Sequence, residues 1–393
     1  MNNFKYYAPT EVIFGRDVEN EVGSELIKSE ATKVLVHYGG QSAIKSGLLE
    51  RVKKSIEETD IEYVMLGGVV PNPRLSKVRE GIEICKEEEV DFVLAVGGGS
   101  VLDSAKAIAY GAVYSGDIWD FYDGKEQITS ALPHGNIITL AATGSETSSS
   151  SVITNEETGD KVGVNTEYGR PEFTLMNPEL TYTLPPYQTA CGIVDIIMHT
   201  FERYFSPGGV NDMTDEIAEA VIRNTKRYGT IAMENPDDYD ARSELLWSGS
   251  LSHINLTGLG RVGDWASHRL EHELSGMFDV AHGAGLSAIW GAWARYTYEE
   301  APERFIRMGE NAWGLDLKEL DKKEAVETMI NTVVEYFKTL GMPESTTELL
   351  GRSLTEEEIL KLADNASKAG NKTLGSFKVI NREDMINIFR MSV

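Results

Sequence analysis

The first half of the chain alternates short runs of aliphatic and β-branched residues with stretches of helical periodicity. The runs occupy residues 33–38 (KVLVHY), 61–66 (IEYVML), 90–96 (VDFVLAV) and 135–140 (GNIITL). Strand, helix and strand at this spacing predict a parallel sheet with helices packed on its faces. Because the runs are continuously apolar rather than alternating, we expect both faces of the sheet to be buried.

The pattern changes near Leu184. Beyond it, helical periodicity dominates and strand patterns are scarce, as residues 321–340 show with apolar side chains at steps of three and four. We therefore predict two domains, a Rossmann-like α/β domain over residues 1–184 and an all-α domain over residues 185–393.

Charge and composition exclude several classes of function. The 393 residues include 37 Lys and Arg against 62 Asp and Glu, a net charge of −25. Such a field repels phosphate backbones and anionic lipid surfaces, so we expect no nucleic-acid and no membrane partner. The chain shows no secretory leader and no apolar run of membrane-spanning length, and it has two cysteines. These features predict a soluble cytoplasmic protein.

A glycine-rich turn follows the third predicted strand. Residues 97–100 (GGGS) open a helix, with Asp103 one turn further on. Glycines let the backbone approach a pyrophosphate, and the helix amino terminus offers free N–H groups. The spacing is not that of the usual GxGxxG motif, so a tight turn that binds nothing is the alternative.

Two further loops are candidates for the same ligand. Residues 39–42 (GGQS) follow the first strand without the carboxylate that commonly holds the ribose of NAD. Space for a 2′-phosphate, with Ser42 as donor, favours NADP, although a surface turn explains the loop equally well. A third loop, residues 139–151, is rich in hydroxyl groups, for which an ordinary polar loop is the alternative.

Histidines cluster in the second half of the chain. Asp195 and His199 stand four residues apart in an apolar segment, which places them on one helical face. His268 and His272 repeat this spacing, and His282 follows. A buried carboxylate needs a partner, and such nitrogen and oxygen donors suit Zn²⁺ or Fe²⁺ better than Ca²⁺ or Mg²⁺. Spacing leaves open which histidine is not a ligand, and hydrogen-bonded core histidines remain the alternative. The other three are interpreted as structural: His37, His134 and His253.

Several longer motifs occur in a fixed order along the chain. They are FKYYAPTEVIFG, VPNPR, VGGGSVLDSAKAIA, ATGSETSSSSVITNEETGDK, LPPYQTACGIVDIIMHTFERYF and HRLEHELSG with a later AHG. Over nearly its whole length the chain resembles the iron-dependent (group III) alcohol dehydrogenases, and most of all their NADP-linked butanol dehydrogenase branch.

The resemblance implies an α/β dinucleotide-binding domain and a helical metal-binding domain, with the site in the cleft between them. It assigns Fe²⁺, or Zn²⁺ in its place, to Asp195, His199, His268 and His282. His272 becomes a candidate for proton transfer, and Asp103 is counted with it as a catalytic candidate. The NADP(H) contacts would be Gly39, Gly40, Ser42, Asn72, Gly98, Gly99, Ser100, Asp103, Thr139, Thr143 and Lys161.

The expected activity is therefore that of a metal-dependent, NADP(H)-linked alcohol dehydrogenase or aldehyde reductase. Its substrates would be short-chain primary alcohols and aldehydes such as butanol and butanal, and the resemblance suggests a homodimer. An NAD-linked diol, lactaldehyde or glycerol dehydrogenase is the main alternative. A dehydroquinate synthase would need several basic residues near the metal, and Arg261 and Arg269 are the nearby basic residues in sequence. A catalytically silent binding protein would be expected to have lost some of these positions.

Overall fold

The computed structural model describes residues 1–142, 144–207 and 209–393. It divides into two compact units: one is Tyr7–Leu184, and the other joins Met1–Tyr6 to Pro185–Val393.

The first six residues group with the helical unit, whereas the sequence prediction assigns them to the α/β domain. The amino-terminal ammonium of Met1 donates to the carbonyl of Val210 at 3.3 Å. The N–H of Asn2 donates to the carbonyl of Gly260 at 2.9 Å. Both acceptors lie far along the chain, so local sequence pattern carries no sign of this attachment.

The unit Tyr7–Leu184 is built on a parallel sheet in the order β1-β8-β5-β4-β2-β3, beside a separate antiparallel hairpin of β6 and β7. Its strands are β1 (Glu11–Phe14), β2 (Lys33–Tyr38), β3 (Glu62–Leu66), β4 (Phe92–Gly97), β5 (His134–Ile138), β6 (Ser150–Asn155), β7 (Asp160–Asn165) and β8 (Phe173–Met176). Its helices are α1 (Val22–Lys28), α2 (Gln41–Lys45), α3 (Leu48–Glu57), α4 (Leu75–Glu87), α5 (Gly99–Ala112) and α6 (Trp119–Tyr122).

The predicted fold class is confirmed. Three of the four predicted runs form the inner strands β2, β4 and β5, whereas the run over residues 61–66 forms the edge strand β3, of which only Leu66 is buried. Every residue of β4 and of β5 is buried, as a sheet covered on both faces requires. The sequence analysis missed the four-residue strands β1 and β8, which are too short to show a pattern.

The direction in which the chain adds strands reverses between β2 and β4. From β2 the chain proceeds to β3 at one side, whereas from β4 it proceeds to β5 at the other. In parallel sheets, ligands bind beside the carboxyl ends of two such neighbouring strands. The loops after β2 and β4 adjoin there, since a Cβ atom on Gly39 would lie 3.5 Å from Cγ2 of Val101.

The second unit is built from helices over its described residues, as the loss of strand pattern after Leu184 predicts. Within the predicted helical stretch 321–340, the structure has one helix whose amino terminus Asp321 caps by accepting from the N–H of Glu324. No helix in the described ranges is long and apolar enough to cross a bilayer. The helices are α7 (Pro186–Tyr204), α8 (Asp212–Glu234), α9 (Tyr239–His253), α10 (Ala266–Phe278), α11 (His282–Thr297), α12 (Pro302–Met308), α13 (Lys322–Thr339), α14 (Thr346–Leu350), α15 (Glu356–Ala366) and α16 (Arg382–Met391).

Candidate functional site

Most of the predicted cofactor residues of the α/β unit lie at the carboxyl ends of the parallel strands, whereas Lys161 lies on β7 of the hairpin. Parallel strands all end at the same edge of the sheet, so the loops that follow them become neighbours. The N–H of Thr139 donates to the carbonyl of Gly97 at 3.0 Å, which ties two of these loops together. The loops after β2, β3, β4 and β5 carry, respectively, Gly39 and Gly40, Asn72, Gly98 to Ser100, and Thr139.

Two of these loops have backbone geometry suited to a close ligand. A Cβ atom on Gly40 would meet nothing within 4 Å, so the backbone there faces open space. Asn72 is buried and has a φ of 55°, in the left-handed region that asparagine tolerates better than most residues. Ser42 is exposed on α2. Thr143 lies outside the described residues.

Asp103 is a hydrogen-bond acceptor on α5. Its Oδ1 accepts from the hydroxyl of Ser145 at 2.6 Å, and its Oδ2 accepts from the N–H of Val152 at 3.1 Å. Burial raises the pKa of Asp103, and the charges of Lys106 and Lys161 act in the opposite direction. Both carboxylate oxygens are thus already engaged in holding the chain around β6.

Lys106 is a residue of this region that the sequence analysis missed. Its side chain is almost fully buried, and its ammonium donates to the carbonyls of Ser145 and Ser150 at 2.7 and 2.9 Å. It also reaches the hydroxyls of Ser145 and Ser148 at 2.9 and 3.3 Å. Burial lowers the pKa of Lys106 to about 8. A lysine in a helix ordinarily faces solvent. The serine-rich loop that follows Lys106 later in the chain is the one sequence signal that could have suggested that its ammonium is buried and hydrogen-bonded.

In the helical unit, one carboxylate and three imidazoles converge. Oδ1 of Asp195 lies 3.4 Å from Nδ1 of His199, 3.9 Å from Nε2 of His268 and 3.6 Å from Nε2 of His282. Ligand atoms of Asp195, His268 and His282 all lie within 4.8 Å of one another, a set that does not include His199. Helices α7, α10 and α11 each supply part of this cluster.

The surroundings of the cluster favour a neutral imidazole at His199, beside the buried carboxylate of Asp195. Asp195 is 2% exposed and His199 is 5% exposed. Burial lowers the pKa of His199 well below its ordinary value, and the neighbouring His268 lowers it further. Neutral imidazole and ionised carboxylate are the forms that bind a metal ion, and this donor set fits Zn²⁺ or Fe²⁺.

Two glutamates that the sequence analysis missed complete the cluster. Nδ1 of His268 donates to Oε1 of Glu202 at 2.7 Å, and Nδ1 of His282 donates to Oε2 of Glu271. Both carboxylates are almost fully buried. Each stands three residues after a histidine, in HTFE and HRLE, which is the one sequence signal that could have identified them.

The structure also places the two remaining histidines of this half of the chain. The ring of His272 lies 5.6 Å from that of His282, and its side chain is half-buried. His253, interpreted as an isolated structural residue, has its ring centroid 4.5 Å from that of His199. Trp265, with a φ of 62°, packs against His199 and His268. His253 approaches because α9, of which it is the last residue, packs against α7, and no local spacing indicates this packing.

The glycine after His282 allows a close approach of two helices. A Cβ atom on Gly283 would lie 2.2 Å from the carbonyl oxygen of Cys191 and 2.7 Å from its Cα. Only a residue without a side chain fits there, so α11 can lie against the backbone of α7. This contact brings His282 to Asp195.

Comparison with known proteins matches both units to one family. Residues 9–178 match the family model "Iron-containing alcohol dehydrogenase", and residues 189–393 match "Fe-containing alcohol dehydrogenase family, C-terminal". NADH-dependent butanol dehydrogenase A of Clostridium acetobutylicum is 41% identical over the full length of both chains. The NADPH-dependent aldehyde reductase YqhD of Escherichia coli is 33% identical over 95% of each chain. The crystal structure of NADH-dependent butanol dehydrogenase A from Thermotoga maritima covers 100% of this chain and 99% of its own, with a TM-score of 0.96 and 40% identity.

A parallel α/β unit joined in one chain to a helical unit, matched throughout to alcohol dehydrogenases, defines an NAD(P)-dependent oxidoreductase that acts on CH–OH donors. The chain belongs to the iron-containing alcohol dehydrogenase family. The family predicted from the motifs is thereby confirmed.

Proposed function

We propose that this enzyme interconverts short-chain primary alcohols and aldehydes, such as butanol and butanal, with NADP(H) as cofactor. The observation that carries the proposal is the convergence of three imidazoles on the buried carboxylate of Asp195. The names of its relatives, among them butanol dehydrogenases and an aldehyde reductase, support the substrate class.

Asp195, His199, His268 and His282 are the proposed ligands of Fe²⁺, or of Zn²⁺ in its place. When bound, the ion would act as a Lewis acid on the oxygen of the alcohol or aldehyde. The four residues come from three packed helices, so they would hold this position rigidly. Burial of Asp195 and His199 would keep water from competing at the donor atoms.

The loops at the carboxyl edge of the sheet are the proposed cofactor site. Gly39, Gly40 and Ser42 would receive the 2′-phosphate, and Gly98, Gly99 and Ser100 the pyrophosphate, at the start of α5. The remaining proposed contacts, around the rest of the dinucleotide, are Asn72, Asp103, Thr139, Thr143 and Lys161. Lys106 would support this site indirectly by fixing the loop that contains Ser145.

His272 is the proposed group that moves a proton between the substrate oxygen and solvent. It is half-buried and adjacent to His282, so it can exchange protons without being a ligand. Both oxygens of Asp103 already accept hydrogen bonds. We therefore assign Asp103 a positioning role in the cofactor site rather than proton transfer.

We propose a homodimer in the cytoplasm. Phe14 on β1, at the edge of the sheet, is 39% exposed, and Tyr7, close to it in sequence, is 50% exposed. Exposed aromatic residues beside an edge strand are typical of contacts between chains. Cys85 and Cys191 are free thiols, which agrees with a reducing compartment.

NAD(H) is the second candidate cofactor. The relatives that are 41%, 38% and 37% identical are named NADH-dependent, whereas the 33% identical relative is named NADPH-dependent. The absence of a carboxylate at Gly39 and Gly40 favours NADPH on physical grounds, since neither residue carries a charge that would repel a phosphate. Cofactor preference is therefore the point that measurement must decide.

The decisive measurement is the initial rate of butanal reduction under anaerobic conditions by protein stripped of metal and reloaded with Fe²⁺. We expect fast turnover with NADPH and at least about tenfold lower kcat/KM with NADH, a difference of about 1.4 kcal/mol. A preference for NADH would contradict the proposed phosphate site and would match the cofactor named for the butanol dehydrogenases among its relatives. No turnover with either cofactor, despite bound metal, would contradict the proposed activity.

Replacing Gly39 by aspartate is expected to shift the kcat/KM ratio of NADPH to NADH toward NADH by at least about tenfold. A carboxylate would repel the 2′-phosphate and accept from the 2′-hydroxyl of NADH. The added Cβ would be in ordinary contact, 3.5 Å from Val101, and φ is not positive at Gly39. Gly39→Asn is the matched control, since it adds the same bulk without the charge. A ratio that is the same in both variants would contradict the placement of the phosphate.

A further inference from the structure

The hydrogen bonds around the histidine cluster repeat one pattern on two helices, α7 and α10. On α7, Glu202 stands three residues after His199 and holds His268 of α10. On α10, Glu271 stands three residues after His268 and holds His282 of α11. Residues three apart lie on neighbouring faces of a helix, so each helix carries a histidine toward the cluster and a glutamate toward the next histidine.

Both glutamates are held as hydrogen-bond acceptors. Oε1 of Glu202 accepts from the hydroxyl of Ser267 at 2.6 Å, from the N–H of His268 at 3.0 Å and from its ring. Glu271 accepts from the hydroxyl of Ser275 as well as from His282. A Cβ atom on Gly285 would lie 2.8 Å from Glu271, so glycine at this position leaves the space that the glutamate occupies.

These contacts determine which ring nitrogen faces Asp195. A carboxylate that accepts from Nδ1 keeps the proton on Nδ1 and leaves the lone pair on Nε2. In His268 and His282, Nε2 is the atom directed at Asp195, at 3.9 and 3.6 Å. In His199 the atom closest to Asp195 is instead Nδ1, at 3.4 Å.

We propose that Glu202 and Glu271 are positioning residues that orient His268 and His282 and fix their tautomers for metal binding. This inference rests on the proposed metal site. Hydrogen-bond partners of this kind commonly contribute ten- to hundredfold to metal affinity, because they remove alternative ring orientations and raise the basicity of the ligand atom.

The test is the dissociation constant of Zn²⁺, measured on the full-length metal-free protein by competition with a chelator. Glu202→Gln and Glu271→Gln are each expected to weaken binding by about ten- to hundredfold, with one Zn²⁺ per chain still bound at saturation. Glutamine has nearly the same shape but can present its amide N–H to the ring and so favour the wrong tautomer. Glu216→Gln, exposed on α8, is the control and should bind as the wild type does.

The thermal midpoint of each metal-free variant shows whether the variant is folded. For each folded variant, its affinity for Zn²⁺ decides whether the substituted glutamate has the proposed role. A folded Glu202→Gln or Glu271→Gln protein that binds Zn²⁺ within about twofold of wild type would overturn the proposal for that residue. If one of these variants does not fold, the corresponding aspartate variant, which keeps the charge but shortens the side chain, is measured in its place and is expected to weaken Zn²⁺ binding in the same way. Wild-type protein that binds no Zn²⁺ would instead overturn the proposed metal site, and the inference with it.

Discussion

Replacing Asp195 by alanine is expected to remove bound metal and to lower kcat/KM for butanal reduction by at least about a thousandfold, or about 4 kcal/mol. The carboxylate of Asp195 is the group on which the three imidazoles converge, at 3.4 to 3.9 Å. Without it, no carboxylate would lie among the three imidazoles to offset the charge of a divalent ion, because Glu202 and Glu271 contact the Nδ1 atoms of His268 and His282, away from Asp195. We therefore expect the metal ion to leave the site altogether and not to bind in a shifted position.

The measurement pairs metal content per chain with steady-state kinetics after reloading with Fe²⁺ without oxygen. Asp316→Ala is the control, since Asp316 is exposed in a loop of the same unit. We expect it to retain full metal and full activity. Near wild-type turnover by a metal-free Asp195→Ala protein would show that the activity does not depend on this cluster.

Replacing Gly283 by alanine is expected to destabilise the helical unit by about 3 kcal/mol, the upper range for an overpacked core. The new Cβ would overlap backbone atoms of Cys191, which no rotamer change can relieve. The two helices must separate, and His282 would move away from Asp195. For a unit of this size the thermal midpoint should fall by about 6–12 °C, and metal content should fall with it.

Gly291→Ala provides the matched control on the same helix. There a Cβ atom would lie 3.1 Å from the end of the Arg295 side chain and 3.2 Å from Val334, both of which can shift. Removing a helical glycine also favours the folded state by up to about 1 kcal/mol. We expect this variant to be neutral or slightly more stable. Equal thermal midpoints for the two variants would contradict the packing argument at Gly283.

The central strands of the sheet were predictable because their apolar runs are long and uninterrupted. The prediction over residues 33–38 coincides with β2, and the run over 90–96 differs from β4 by one or two residues at each end. The sequence analysis did not predict β1 and β8, because a strand of four residues is too short to show a pattern. It did not predict the hairpin of β6 and β7 either, because these strands are rich in polar residues, which suggest a loop.

Histidine spacing located the candidate cluster but not its supporting groups. Asp195 and His199 stand out because a charged residue in an apolar helix is costly and therefore noticeable. Glu202 and Glu271 do not stand out, because glutamate is common in helices and usually faces water. Their role depends on which helices pack together, and that information is absent from any single segment. The same holds for His253, which reaches His199 because α9 packs against α7.

The attachment of Met1 and Asn2 to the helical unit has a consequence for the order in which the chain is made. Translation completes residues 7–184 before Val210 and Gly260, the partners of those first residues, leave the ribosome. The hydrogen bonds of Met1 and Asn2 can therefore form only after the whole α/β unit has been synthesised. We therefore expect a segment fused to Met1 to change the stability of the helical unit, even though Met1 precedes the first strand of the α/β unit in the chain.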